Sequence, residues 1–439
     1  MNRQRRLVLG LGVLGAIVIV VAGAAGLSGI FGPTPSPSFA VTTPTATPSL
    51  EPGETASPTP STEPGPSSTP SPSPTPLTVP DPLTGRPVPP EVAARHPIAV
   101  MIDDQQDARP QSGLSFASVV WQAPAEGGIP RYMAIFQDRI PAAVGPVRSA
   151  RYYFISWASE WKAVYAHAGG SPQALSTLKS KGNGQWVYNA DGFRYSGTFH
   201  RISTRRAPHN LYTSGAALRK LAAHLKAKDN TTTGIWQFAP DAALDARPTG
   251  GTIQVSYLAN KVRYDYDRTS NTYLRTVSVE GKQKDASVGV RVAPKNVIVM
   301  LMHFGPLNDN HPEKHRLEAQ LVGSGKAWIA TNGHTIIGTW KKTALTGPTR
   351  FYDSKGNPVT LTIGQTFVQV MPYGSPVVVK DGKVVAPAAS ASSSAAPSPS
   401  AAAQADPGLA VVPADLGPEA IAAPVPDGAV ELRPTIAGL

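Results

Sequence analysis

The chain reads as an α+β protein of two mixed domains, the C-terminal one strand-rich, set behind an N-terminal transmembrane helix. Three observations predict this. All seven Trp and all nine His fall between Pro80 and Val385, which confines core-forming material to about 300 residues, more than one ordinary domain. Short apolar runs bounded by turn residues crowd the second half of that stretch. Ahead of it lies an uncharged, mostly apolar run from Leu7 to Phe31, preceded by Arg3, Arg5 and Arg6.

As a helix, that run would extend about 37 Å at about 1.5 Å per residue, enough to span a bilayer. Cations before it and none directly after it place the N-terminus in the cytoplasm and the body outside, as a single-pass protein of the cell membrane. A cleaved signal peptide is the other reading, because Ala22-Gly23-Ala24 resembles a cleavage site. Residues 1–32 thus form the Arg cluster and anchor. Residues 33–78, built of Pro, Ser, Thr, Ala, Gly and a few Glu, cannot bury a core and read as a disordered, extended spacer. An N-terminal α/β domain is expected over 79–245 and a β-rich domain over 246–385. Residues 386–439 form an Ala/Pro/Ser-rich disordered tail.

In the first domain Ile98–Ile102 reads as a buried strand ending at Asp103-Asp104. Ser118–Gln122 and Tyr132–Gln137 are further strands, and Ala216–Lys226 is a helix. The second domain offers strands at Thr252–Leu258, Lys261–Tyr266, Tyr273–Val279, Val297–Phe304, Ala327–Thr331, Thr335–Lys341 and Gln365–Val370. Asn332-Gly333 and Gly356-Asn357 are hairpin signals. The boundary falls in Asp241–Gly251, with Pro248 and Gly250-Gly251.

Cysteine is absent, which excludes disulfides, a thiol nucleophile, lipid attachment through cysteine and cysteine-dependent transpeptidation. The formal charge is +11. Residues 1–32 carry +3, residues 33–78 carry −3 and residues 386–439 carry −4, leaving +15 on the body. A basic exported body suits anionic envelope polymers, anionic lipid heads or a phosphorylated ligand, and export argues against nucleic acid.

Gly145-Pro146-Val147-Arg148-Ser149-Ala150-Arg151 packs two guanidinium groups and a hydroxyl into one short segment. Arginine grips carboxylate or phosphate bidentately at any working pH. Arg205-Arg206-Ala207-Pro208-His209-Asn210 supplies a second polar group. Glu126-Gly127-Gly128-Ile129-Pro130-Arg131 joins two strands through glycines, and His167-Ala168-Gly169-Gly170-Ser171-Pro172 offers N–H groups before a helix. The candidate ligand-binding residues are therefore Arg148, Arg151, Arg131, His167, Arg205, His209, Asn210 and Glu126. In the competing reading, the arginines pair with Asp103, Asp104, Glu126 and Asp191 as buried ion pairs that hold loops.

Catalytic signatures fail on inspection. Gly323-Ser324-Gly325-Lys326 has Gln320 and Ala327 where a phosphate loop needs Gly and Ser/Thr, and reads as a turn. Ser176-Thr177-Leu178-Lys179 lacks a K-T-G partner. His311 and His315 have metal-sharing spacing, but Pro312 and Asn308-Asp309-Asn310 mark a loop. No catalytic residue, metal or cofactor is assigned.

Ile98–Asp103, Ala108–Leu114, Glu126–Gln137, Gly145–Arg151, His167–Pro172 and Pro208–Tyr212 together resemble the YerB-like lipoproteins of the bacterial envelope. Lys295–Val299, Leu321–Lys326, Trp340–Lys342 and Pro348–Asp353 continue the likeness in order to about residue 372. The resemblance implies a mixed α/β body of two domains and carries no enzymatic activity. This chain departs from the lipoprotein form in lacking a lipobox cysteine. A fainter likeness, in anchor, spacer, strand and arginine-rich turn, is to the LytR–CpsA–Psr glycopolymer transferases. It implies a polyprenyl pyrophosphate held by Arg131, Arg148, Arg151, Arg205 and Arg206, with Asp103 or Asp104 on Mg²⁺. The leading expectation is an extracytoplasmic protein that binds an anionic envelope ligand, or scaffolds cell-wall synthesis proteins. The ligand would be a cell-wall polymer or a phosphorylated precursor. The Mg-dependent transferase is the alternative.

Overall fold

The computed structural model describes residues 77–384. The expected span Leu7–Phe31, nearly all of the spacer and the tail lie outside the described residues. Among the described residues no helix is long and apolar enough to cross a membrane.

From the N-terminal half come β1 (Ile98–Asp103), β2 (Val119–Pro124), β3 (Pro130–Phe136), β4 (Val164–His167) and β5 (Tyr188–Asp191). The C-terminal half adds β6 (Thr249–Tyr257), β7 (Asn260–Asp267), β8 (Thr272–Val277), β9 (Gly281–Lys282) and β10 (Asn296–Met302). After these follow β11 (Gly323–Thr331), β12 (His334–Lys342), β13 (Arg350–Asp353), β14 (Thr366–Pro372) and β15 (Val377–Lys383). The longer helices are α1 (Tyr152–Ser159), α2 (Pro172–Lys181) and α3 (Gly215–His224). The body is α+β and its C-terminal region is strand-rich.

Both halves contribute to one ten-stranded sheet, ordered β13-β12-β11-β10-β14-β2-β3-β1-β4-β5. The halves meet where β14 pairs in parallel with β2, Thr366 opposite Val119 through Gln369 opposite Gln122. A five-stranded sheet, ordered β9-β8-β7-β6-β15, is separate. The large sheet is buried on both faces, so its central strands are apolar throughout rather than alternating. One face packs on α1 and α2 through Tyr153, Phe154, Trp157, Ala174 and Leu178. The other face carries the five-stranded sheet, through Ile253, Val255 and Tyr264, and α3, through Leu218 and Leu221. Trp121 of β2 stacks on Trp157 of α1 with centroids 4.7 Å apart and planes 10° apart.

The two faces also explain the adjacent carboxylates at the end of β1. Successive side chains on a strand point opposite ways. Ala99 and Met101 face the helices while Val100 and Ile102 face the five-stranded sheet. Asp103 continues the helix side, and Asp104 turns into the interior on the other.

Several expectations are corrected. Gly323–Lys326 is not a turn but the opening of β11, paired with β12 from Gly323–Lys342 onward. A Cβ at Gly325 would lie 2.6 Å from the Trp340 Nε1, so glycine is there to let the indole pack. The almost fully buried α1 and the edge strand β15 were not anticipated. The Asn332-Gly333 turn is as expected, with φ of 50° and 78° joining β11 to β12.

Candidate functional site: a cationic cleft at the strand ends

The segment after Gly145 runs back along the end of β1. The Asp103 amide donates to Pro146 O at 2.9 Å and the Arg148 amide to Met101 O at 3.0 Å. It then crosses to the end of β4, where the Ala168 amide donates to Arg148 O at 3.0 Å and the Ala150 amide to Gly169 O at 2.8 Å. These bonds fix Arg148, Ser149 and Arg151 at the C-terminal ends of parallel strands β1 and β4, where open α/β sheets place ligands. Arg131 stands opposite Asp103 on β3, on the same face of the sheet.

The result is a cleft of about 520 Å³. Its charged lining is Asp103, Glu126, Arg131, Arg148, Arg151, Lys314 and Arg316, five cations against two carboxylates, a net of +3. Glu126 sits between two guanidiniums. Its Oε2 lies 3.1 Å from Arg131 and its Oε1 accepts from Arg151. Asp103 Oδ2 lies 2.9 Å from Arg148 Nε and 2.7 Å from His209 Nδ1. The Arg148 Nε contact is electrostatic, because Nε is not aligned for a hydrogen bond. Among the described residues the Arg148 Nη groups donate to no protein acceptor, and the buried Arg151 Nε has no partner.

Burial pulls the proton affinity of all three arginines down. Arg151 is lowered to about 10, chiefly by desolvation and further by the positive charge of Arg316. Arg131 and Arg148 are lowered by desolvation despite the neighbouring Asp103. Guanidiniums still carry their charge at neutral pH, so the cleft holds partly desolvated cations in excess of counter-charge. An anion entering it would supply what the two carboxylates leave uncompensated.

The ion pairs of the competing reading form with Asp103 and Glu126, and an excess of cations remains beside them. Of the residues singled out from sequence, Glu126, Arg131, Arg148 and Arg151 line the cleft, and His209 joins it through Asp103. Three do not. His167 is buried and spent on structure, Nδ1 against Gly169 O and Nε2 against Asn189 Oδ1, both at 2.8 Å. Arg205 donates to the carbonyls of Ala108 and Pro110, tying down that loop. Asn210 bonds Arg201 at 2.6 Å and Ile202 O at 3.2 Å.

Asp104 is likewise not available. It accepts from Gln122 Nε2 at 2.7 Å, Asn260 Nδ2 at 2.9 Å and Arg109 Nε at 3.1 Å. Asp103 and Asp104 thus face opposite sides of the sheet. Of the two carboxylates suggested for Mg²⁺, Asp103 lines the cleft and Asp104 does not.

Lys314, His315 and Arg316 escaped the sequence reading as cleft residues. They arrive on a hairpin between Phe304–Pro306 and Leu317–Ala319. Phe304 packs edge-on against Tyr153 of α1, centroids 5.7 Å apart. Arg316 is paired with Asp309 of the same hairpin.

Comparison with known proteins places two family descriptions on the chain in order. "Protein of unknown function (DUF3048) N-terminal domain" matches residues 83–229 and the corresponding C-terminal domain matches residues 253–368. The chain is 34% identical over 271 residues to "Putative lipoprotein YerB" of Bacillus subtilis (strain 168), covering 60% of this chain and 77% of that one. The crystal structure of the YerB protein from Bacillus subtilis superposes with a TM-score of 0.60 at 28% identity, covering 68% of this chain and 98% of that one.

Proposed function

We propose, from the premise that this chain belongs to the YerB-like two-domain family of unknown function, that it is an extracytoplasmic protein binding an anionic envelope ligand in the arginine cleft. The observation that carries this reading is the net +3 of a partly desolvated cleft whose Arg148 Nη groups donate to no acceptor among the described residues. Arg148 is the primary grip, Arg131 and Arg151 add charge, and Glu126 spaces the latter two. Asp103 holds Arg148 and His209 in place. With no cysteine to carry a lipid, the run Leu7–Phe31 serves as the anchor, and residues 33–78 space the body from the membrane.

The test is a thermal-shift series on the full chain with inorganic pyrophosphate and with a wall stem peptide bearing free carboxylates. A ligand at 100 times its dissociation constant stabilises by about 2.7 kcal/mol. Stabilisation by either one, lost in a folded Arg148→Ala variant, supports the reading. No shift with either, or an unchanged shift in that variant, defeats it.

The transferase reading keeps one supporting observation. Asp103 orients His209 at the cleft, and an imidazole so held can accept a proton from a hydroxyl. Turnover of a polyprenyl-pyrophosphate-linked sugar, lost in His209→Ala, would favour it over simple binding.

A further inference from the structure

An apolar groove of about 650 Å³ opens directly off the cationic cleft. The two share Gly127 and His315 as lining residues, so a charged hollow and an apolar one lie side by side and make a depression with a charged end and an apolar end. The groove is walled by Pro124, Tyr257, Leu258, Leu317, Pro372 and Pro376. Leu258 stands at its rim with 90% of its surface exposed. It occupies the tip of the tight β6–β7 hairpin, where Tyr257 pairs with Asn260. Gly128, with φ of 71°, passes beneath it, and a Cβ there would lie 2.5 Å from the Leu258 Cβ. The glycine thus makes room beneath the turn that presents a leucine beside the cleft.

We propose that this depression holds a lipid phosphate, with its phosphate among Arg131, Arg148 and Arg151 and its apolar chain along the groove. This rests on the anion-binding reading above and names the ligand class for it. A free phosphate or sugar phosphate would leave the groove unused. A peptide laid along it would bring N–H and C=O groups to a wall with few polar partners, and unpaired polar groups are costly to bury. An acyl or isoprenoid chain has no such groups, and each methylene it buries is removed from water without a polar cost. The neighbouring hollow beside His315 brings Asn308, Asp309 and Asn310 to its wall, polar groups that an apolar chain would desolvate without pairing.

The experiment is calorimetric titration of the full chain in a non-ionic detergent with inorganic phosphate, decyl phosphate and decanol. Decyl phosphate binds at least about tenfold more tightly than inorganic phosphate if the chain is seated, a difference readily resolved. Decanol alone binds weakly. Arg148→Ala weakens both phosphates. Leu258→Asn leaves inorganic phosphate unchanged and cuts the decyl advantage severalfold. Equal affinity for the two phosphates overturns the inference while the anion-binding reading stands. Decanol binding as tightly as decyl phosphate, or an advantage untouched by Leu258→Asn, overturns it too. Absence of any phosphate binding sinks this inference together with the reading beneath it.

Discussion

Replacing Glu126 with glutamine removes the carboxylate between Arg131 and Arg151 while keeping its shape. Breaking a fully buried pair costs about 3–5 kcal/mol, and an exposed one below about 1 kcal/mol. Glu126 is 21% exposed and its partners 11% and 8%, so the loss should fall between, at about 2 kcal/mol. For a body of about 300 residues that is a fall in Tm of about 3 °C. The same change raises the cleft from +3 to +4 by deleting one negative charge. If the cleft binds anions, phosphate should bind the variant more tightly. A tenfold gain returns about 1.4 kcal/mol of the deficit at saturating phosphate, since linkage stabilises as the logarithm of ligand over dissociation constant. Thermal unfolding of the full chain by circular dichroism, with and without phosphate, reads both effects. A large deficit without phosphate that shrinks severalfold with it is expected. An equal deficit in both buffers would refute the anion cleft and leave Glu126 as a loop brace.

Other consequences concern the frame. Lys342 and Glu160 are both fully buried, 2.7 Å apart, so Glu160→Gln alone should cost about 3–5 kcal/mol in urea unfolding, and Glu160→Gln with Lys342→Met distinctly less. Arg275, fully buried, bonds Tyr264 at 2.9 Å, Tyr132 at 3.0 Å and Gln122 at 2.6 Å, joining the two sheets. Arg275→Leu leaves those acceptors and Asp104 short of a partner and should cost more than about 3 kcal/mol by the same assay. Asp241 has its pKa lowered: burial opposes this, but hydrogen bonds from Lys295 and Asn271 and the charges of Lys295 and Arg247 outweigh it. A depressed carboxylate contributes stability that is full above its unfolded value, about 3.9, and lost as pH falls through the folded value. Wild type should therefore exceed Asp241→Asn in stability at pH 7, with the gap narrowing as pH falls below the unfolded value of about 3.9; a constant gap would contradict the assignment.

Strand positions were legible where polarity alternates, as in Asn260–Asp267, because one side of the five-stranded sheet meets solvent. Within the large sheet, apolar runs such as Ile98–Ile102 announced buried strands but not their neighbours. The parallel pairing of Thr366–Pro372 with Val119–Pro124, about 250 residues apart, leaves no local trace. Helix Tyr152–Ser159 escaped because seven of its eight residues are buried, which erases amphipathic periodicity. At the site, the Gly145–Arg151 segment showed its charge density directly. Lys314–Arg316 did not, since only the fold carries that hairpin to the cleft. His167, Arg205 and Asn210 look like ligand groups in sequence. Their partners are backbone carbonyls and nearby side chains, a use that residue type alone does not reveal.

We propose that Arg148 grips a ligand rather than serving as a structural ion pair. Equilibrium dialysis of inorganic pyrophosphate against the full chain and Arg148→Ala, each checked by urea unfolding, tests it most directly. Loss of one strong charged contact predicts binding weakened at least about tenfold, with the variant still folded and its stability lowered by no more than about 2 kcal/mol, because Arg148 is 18% exposed and its Asp103 partner keeps His209. Unchanged pyrophosphate binding with a destabilised variant would contradict the account and make Arg148 a brace for the strand end.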